Sequence, residues 1–357
     1  MAGRITQAEV ARRAGVHVTT VSLALRNHPS LPASTRERIQ SLADEMGYRP
    51  DPMLRALIAY RHKEKPASAA TTLAYLTHWG SRWGWKASPA HADFYSGAAA
   101  RAAQLGYRLE HFWLGERATT PRSLSHSLAA RGIAGLIVAS HRWENDAELQ
   151  MDWKRFCAVK IDFFPHSPHL HTVTNDQRAI IRLALQRVAA AGYRRIGFVM
   201  PRWWDRFVDQ AWSAGFLAEQ QNLPEGDRVP ILAYASARPE PSASGGHTPV
   251  PARELKAWLD RHRPEALISW APFVRPRLAD LGLRIPRDLA YVDIFRTDGD
   301  SEAAGIRQNC RRVGELAVEL LAGQLTQYSF GVPEFPTSTL VGGTWFDGPS
   351  LPPRTAV

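Results

Sequence analysis

Seven of the twelve tryptophans in this 357-residue chain stand where an α/β sheet would offer them to a small molecule. They are Trp79, Trp83 and Trp85, then Trp143, then Trp203 and Trp204, and finally Trp270. Each lies at or just beyond the end of an apolar run with strand character, at 72–77, 134–139, 195–200 or 266–270. In open α/β sheets ligands bind beyond the carboxyl ends of the strands. Indole faces there offer flat, largely apolar surface on which a sugar ring can stack, and the same surface suits any planar ligand. For any single tryptophan, packing a loop is an equally good use; the clustering is what points to a cleft. Polar candidates near the same strand ends are Asp93, Arg142, Arg202, Asp205 and Asp209, and each also reads as a solvated loop charge. Asn175-Asp176 reads first as the cap of the helix that follows.

The signatures of enzyme chemistry are missing from the sequence. There is no phosphate-cradling GxxxxGK[ST] loop, no HExxH and no GxSxG elbow, so neither an enzyme activity nor a cofactor is expected. His166, His169 and His171 share a Pro-rich stretch without a cysteine or a firm carboxylate partner, and metal binding is not expected of them. The two cysteines, Cys157 and Cys310, are too far apart in sequence for a CxxC knuckle and too few for a disulfide framework. With no run of 18 apolar residues and no signal peptide, the chain is expected to be cytoplasmic and free of membranes.

Elements that could position these groups are legible along the chain. Thr6-Gln7-Ala8-Glu9 is a capping box opening a short helix with Val10, Ala11 and Ala14 on one face. Gly15 breaks it, and a second helix resumes near Val18 with Val21, Ala24 and Leu25 aligned. Two short helices around a Gly-containing turn form a helix-turn-helix pattern. Ser34-x-x-Glu37 reads as a second capping box, heading a helix that carries Ile39, Leu42, Ala43 and Met46. Charge agrees with a nucleic-acid role for this end. Residues 1–65 hold eleven Lys/Arg and six Asp/Glu, so half of the net +10 sits in under a fifth of the chain. Asp51-Pro52 could start a helix of about seven residues, which is marginal on its own.

From residue 71 the pattern alternates. Strands are expected at 72–77, 107–113, 134–139, 156–162, 195–200, 229–233, 266–270 and 289–294. Helices are expected at 93–105, 122–131, 146–154, 176–191, 207–221, 251–262 and 274–281. This alternation predicts two doubly wound parallel α/β lobes behind a small all-α head. The segment 237–251 is rich in Pro, Ser and Gly and reads as a surface loop.

Four pieces of the head, VARRAGV (10–16), TTVSLAL (19–25), STRERI (34–39) and GYRPDP (47–52), closely resemble the DNA-binding headpiece of LacI/GalR-type regulators. The body resembles the type I periplasmic-binding fold that serves as the effector domain of that family. AGYRRIGFV (191–199), LGLRIPRDLAYV (281–292), GIRQNCRRVGELAVELL (305–321) and TSTLVGGTWFDG (337–348) carry the likeness.

The resemblance implies a headpiece over 1–50, a hinge helix and linker over 51–66, and an effector-binding and dimerisation domain over 67–357. It implies lobe one at about 67–165 plus 295–325, and lobe two at about 166–294 plus 326–357. It also implies a homodimer on a palindromic operator, with Thr6, His17, Val18, Thr19, Thr20, Ser22, Leu23, Arg26, Asn27 and Arg55 facing DNA. Leu57 would be the hinge residue that wedges into the minor groove, and packing on the body is the alternative use of it.

Three head positions depart from the commonest family pattern. His17 stands for a capping Ser, Leu23 for an Arg, and Arg26-Asn27 for a single Asn. In the body, Trp212 stands where the family has an effector-clamping Arg, and Ala271-Pro272 follow the strand where an Asp is usual. Trp212 therefore joins the seven other tryptophans as an effector-contact candidate. The expected function is a transcriptional repressor controlled by a small molecule, with carbohydrate as the expected class. The alternatives are a constitutive DNA binder that has lost its ligand, and a sugar-binding protein with a vestigial head.

Overall fold

The computed structural model describes residues 5–25, 30–48, 71–116, 120–141, 148–236 and 248–354. The expected hinge with Arg55 and Leu57 lies outside these residues, as do Arg26, Asn27, Arg142 and Trp143.

In the head, α1 (Gln7–Ala14) begins as its capping box dictates. The Thr6 hydroxyl accepts from the Glu9 N–H at 3.3 Å, and the Glu9 carboxylate accepts from the Thr6 N–H at 2.7 Å. These bonds satisfy donors that a helix start leaves open, and they hold the Glu9 carboxyl below its ordinary pKa. Gly15 closes α1 in the left-handed region, at φ 67°, where a Cβ would add strain. Next come α2 (Val18–Leu25) and α3 (Ala33–Glu45). Val10, Ala11, Ala14, Val21, Ala24, Ile39, Ala43 and Tyr48 form the shared core of the three helices. The expected box at Ser34 and Glu37 is not used: α3 starts at Ala33, with Pro32 in the cap position and no side-chain cap bond. The Pro32 carbonyl accepts the first helical bonds, from the Thr35 and Arg36 N–H groups, which leaves Ser34 inside the first turn.

The body runs β1 (Thr71–His78), α4 (Pro89–Gln104), β2 (Tyr107–Trp113), α5 (Pro121–Ala130), β3 (Gly135–His141), β4 (Cys157–Ile161) and β5 (His171–Asn175). It continues with α6 (Gln177–Ala190), β6 (Ile196–Pro201), α7 (Arg202–Phe207), α8 (Ala211–Gln220), β7 (Leu232–Tyr234), α9 (Ala252–His262) and β8 (Ala266–Ser269). The remainder is α10 (Ala271–Asp280), β9 (Ala290–Asp293), β10 (Ala304–Arg307), α11 (Cys310–Gln327), β11 (Ser338–Val341) and β12 (Thr344–Phe346).

Two sheets result, in the orders β11-β5-β4-β3-β1-β2 and β12-β10-β9-β8-β6-β7. Pairing within them is parallel except between β10 and β12. The buried runs Leu73–Thr77 and Leu136–Ala139 have apolar cores on both faces, as parallel sheets require. The expected α/β class with two doubly wound lobes is the one found.

The lobe boundaries are corrected by the pairing. β5 joins the first sheet, so the chain first crosses after Asn175 rather than at 165. β10 pairs with β9 in the second sheet, and β11 with β5 in the first, which reverses the expected assignment of both strands. All are short, and β5 reads His-Thr-Val-Thr-Asn, too polar to announce itself as a strand.

Three expected helices also change. Within 146–154, the described residues 148–152 are irregular and only Trp153–Arg155 turns, as a 3-10 helix. Leu149 and Met151 are buried either side of exposed Gln150, a period of two, and the Leu149 N–H donates to the Ser167 carbonyl at 3.1 Å. The helix expected at 207–221 begins only at Ala211, as α8, because Asp209 and Gln210 take φ of 51° and 58°, and the short α7 precedes that break. The helix expected at 274–281 begins earlier, at Ala271: Trp270 stands in the cap position, and Pro272 fits the first turn, where no N–H is needed.

Candidate functional site

In the first sheet β1 lies between β2 and β3, so the chain leaves β1 toward opposite sides, and the crevice opens at the carboxyl ends of β1 and β3. The residues at those ends, His78 and His141, are direct pairing partners. In the second sheet β6 lies between β7 and β8, and the matching crevice is flanked by Trp203 and Trp204 after β6 and by Trp270 after β8. The two lobes meet at these ends. The rings of Phe164, after β4, and Phe207, in α7, lie 5.3 Å apart, while Phe295 packs into the cores of both lobes.

On the lobe-one side the His78 and His141 rings meet edge to face at 5.8 Å. His141 Nδ1 is 3.0 Å from the Ala139 carbonyl oxygen. A carbonyl only accepts, so Nδ1 carries the proton and Nε2 presents a lone pair. Burial, reinforced by His78 and Lys160, pushes the His141 pKa down to about 3, so the ring is neutral at physiological pH. His91 Nδ1 lies 3.0 Å from the Ser140 hydroxyl, and the Trp79 ring lies 4.9 Å from His91. Trp83 is 47% exposed, flanked by His111 at 4.5 Å and with the Lys86 ammonium 4.1 Å over its face. Trp85 is fully buried against Tyr75 and Tyr95, so it supports the loop rather than lining a surface.

On the lobe-two side Trp204 is sandwiched between Trp212 at 4.9 Å and Trp270 at 6.1 Å, both pairs tilted by only 19°. Phe273 sets its edge against Trp204 and Trp270. Trp212 is 1% exposed and Trp204 8%, whereas Trp203 and Trp270 are half-buried. The stack therefore runs from the core outward. Trp212 and Trp204 are its buried foundation, and Trp270 is its outer member. Trp143 is outside the described residues, leaving Trp79, Trp83, Trp203 and Trp270 as the tryptophans of the expected set with surface to offer.

Several polar candidates are tied to their own lobe. Asp205 accepts from the Ser213 N–H at 3.1 Å, and Arg202 Nε donates to the Ala233 carbonyl at 2.9 Å. Asp209 is exposed at the helix break, and Asp93 is exposed on α4. Asp176 caps α6 by accepting from the Ala179 N–H at 2.9 Å, as its position suggested. His171 Nδ1 bonds the Thr337 hydroxyl at 2.8 Å, and His166 packs its ring on Phe164.

Sequence reasoning missed His78 and His141. The available signal was a histidine closing each of two apolar strands. It also missed Asp293, whose Oδ1 accepts from the Phe295 N–H at 2.7 Å. Its Oδ2 accepts from the Ala271 N–H and the Tyr291 hydroxyl, both at 3.0 Å. Three donors thus hold this carboxylate, while burial pushes its pKa up to about 6.

Asp162, just beyond β4, has the same perturbation. It sits at φ 65°, accepts from the Thr174 hydroxyl at 2.7 Å, and burial raises its pKa to about 6. A raised native pKa means the folded state binds the proton more tightly. The stabilising contribution is full below the unfolded value near 4 and is lost as pH rises through about 6. Asp162→Asn keeps an acceptor for Thr174, tolerates the left-handed backbone, and removes the charge. It is expected to stabilise the body by about 1–3 kcal/mol at pH 7, with the gain vanishing below pH ~4. Denaturant unfolding at both pH values checks this; an equal effect at each would sink it.

In the head, His17, Val18 and Thr19 are exposed at the start of α2, and Thr20, Ser22 and Leu23 are partly exposed beside them. Val21 and Ala24 face the core. His17 does the work of a capping residue, its Nδ1 lying 2.9 Å from the Thr19 hydroxyl and 3.4 Å from the Thr19 N–H. Thr6 is exposed at the cap of α1.

The arrangement defines a class: a helix-turn-helix head carried on a two-lobed, periplasmic-binding-protein-like α/β body. Residues 6–51 match the family model of bacterial regulatory proteins of the lacI family, so the head is a lacI-family domain. A 231-residue stretch is 28% identical to an HTH-type transcriptional regulator of Mycolicibacterium smegmatis, covering 64% of this chain and 56% of that protein. Among solved structures, the transcriptional regulator CelR in complex with cellobiose has a TM-score of 0.56 at 19% identity, over 97% of this chain and 100% of that one. The lac repressor dimer bound to operator and the anti-inducer ONPF has a TM-score of 0.55 at 19% identity, over 98% of this chain and 100% of that one. These likenesses define the fold of the body. Among the described residues, no helix is long and apolar enough to cross a membrane.

Proposed function

We propose that this chain is a DNA-binding transcriptional repressor whose effector, a carbohydrate, binds between the two lobes. The observation that carries the reading is the lacI-family head with the start of α2 exposed at His17, Val18 and Thr19. In this reading two copies pair as a homodimer on a palindromic operator, and each α2 enters a major groove. His17, Val18, Thr19 and Leu23 face the bases. Thr6, Thr20, Ser22, Arg26, Asn27 and Arg55 complete the contact set, and Leu57 wedges into the central minor groove. The operator-bound lac repressor dimer and the cellobiose complex of CelR support the two halves of the reading by likeness of fold. No catalytic step and no cofactor are part of it. For the ligand to regulate, it must favour one arrangement of the lobes over the other by about 1–3 kcal/mol.

Selection of bound duplexes from a random pool should return a two-fold symmetric site. Leu57→Ala should weaken binding to that site at least about tenfold while leaving ligand affinity alone. Unchanged operator affinity would remove the wedge assignment, and failure to enrich any duplex would remove the repressor reading. A constitutive DNA binder is the second reading, favoured by the buried Trp212 standing where the resemblance puts an effector-clamping Arg.

A further inference from the structure

His141 stands out among the buried titratable groups. It closes β3 at the switch point of the first sheet, it is 3% exposed, and its Nδ1 proton is committed to the Ala139 carbonyl. That leaves Nε2 a buried lone pair, and it has no hydrogen-bond partner among the described residues. A buried polar atom left unmet costs about 1–3 kcal/mol, and such atoms persist where a ligand or water meets them. Protonation does not relieve the deficit, since the ring resists protonation down to about pH 3. At the matching strand end of the second sheet, Trp270 is half-buried, stacked on Trp204 at 6.1 Å and tilted against Phe295 at 5.3 Å.

Resting on the carbohydrate reading above, we propose that His141 is a specificity residue for the effector: its Nε2 accepts a hydrogen bond from one ligand hydroxyl. A neutral imidazole whose Nδ1 proton is committed to Ala139 favours a hydroxyl donor at that point of the ligand, because an anionic oxygen there would set lone pair against lone pair unless the ring took up a proton. The ligand is a polyol at the end nearest β3, whatever substituent its far end carries. Opening of the lobes is what admits it, since Nε2 is covered in the arrangement described.

The test uses the full chain and its own tryptophan fluorescence. Neutral mono- and disaccharides, with the corresponding sugar acids and phosphates, are titrated first. Monodeoxy analogues of whichever sugar binds follow. One deoxy analogue is expected to bind wild type about tenfold more weakly than its parent, the ratio typical of one lost hydrogen bond. His141→Phe should weaken the parent sugar by a similar factor and leave that deoxy analogue unchanged. His141→Gln, which retains an acceptor, should recover part of the loss, and wild type with the analogues suffices if His141→Phe does not fold. The proposal is overturned if His141→Phe weakens the parent and every deoxy analogue alike. It is also overturned if wild type binds all the deoxy analogues as well as the parent. A wild type that ignores every sugar while holding its operator overturns the carbohydrate reading itself, and the inference with it.

Discussion

Trp212→Ala is expected to destabilise the body by about 3–5 kcal/mol, the range for truncating a buried tryptophan. Trp212 is 1% exposed, stacks on Trp204 at 4.9 Å, and belongs to the same core cluster as Phe198, Phe216 and Phe273. Removing its indole opens a cavity beneath Trp204, which in turn supports Trp270 at 6.1 Å. Lobe two should therefore lose its flat floor as well as its stability. One effect works the other way. Trp212 Nε1 is buried with no acceptor among the described residues, and an unmet donor costs about 1–3 kcal/mol. Trp212→Phe keeps a ring and deletes the donor, so it should come close to wild type. Urea denaturation of the two variants gives the comparison. If alanine and phenylalanine prove equally stable, the ring that phenylalanine keeps contributes nothing and the stack is not what holds the lobe. Operator binding should survive in both at temperatures where the body remains folded, because the head has its own core.

Gly97→Val is expected to cost about 3 kcal/mol or more. Gly97 on α4 lies against the Arg311 backbone carbonyl, and Gly314 on α11 lies against that of Phe94. The two helices thus touch backbone to backbone at reciprocal glycines. A side chain at either position meets atoms that cannot rotate away, so α11 must lift off α4. Lifting it exposes the cluster of Phe94, Ala98, Cys310, Val313 and Ala317, which covers one face of the first sheet. Gly314→Val should behave alike, and the double variant should cost less than the sum of the two, since one displacement relieves both clashes. Thermal melts settle it: a Gly97→Val protein melting with wild type would show that the helices can separate cheaply.

The lacI-family head was legible in the sequence because its determinants are local. The Thr6–Glu9 box, the break at Gly15 and the apolar spacing within each short helix all act over a few residues. The α/β alternation of the body was legible for the same reason, since β1, β2, β6 and α6 each carry their own apolar pattern. The strand-end positions of the tryptophans followed from that pattern. Which of them turn outward did not. Burial of Trp85 and Trp212, and the surface left to Trp83 and Trp270, depend on rings supplied by distant segments.

Tertiary structure alone decided the lobe crossings, because β5, β10 and β11 are short and owe their place to pairing partners far along the chain. Tertiary structure alone also paired His78 with His141 and brought Gly97 against α11. Register and close approach join residues tens to hundreds of positions apart, and such contacts leave no periodic trace in a single sequence.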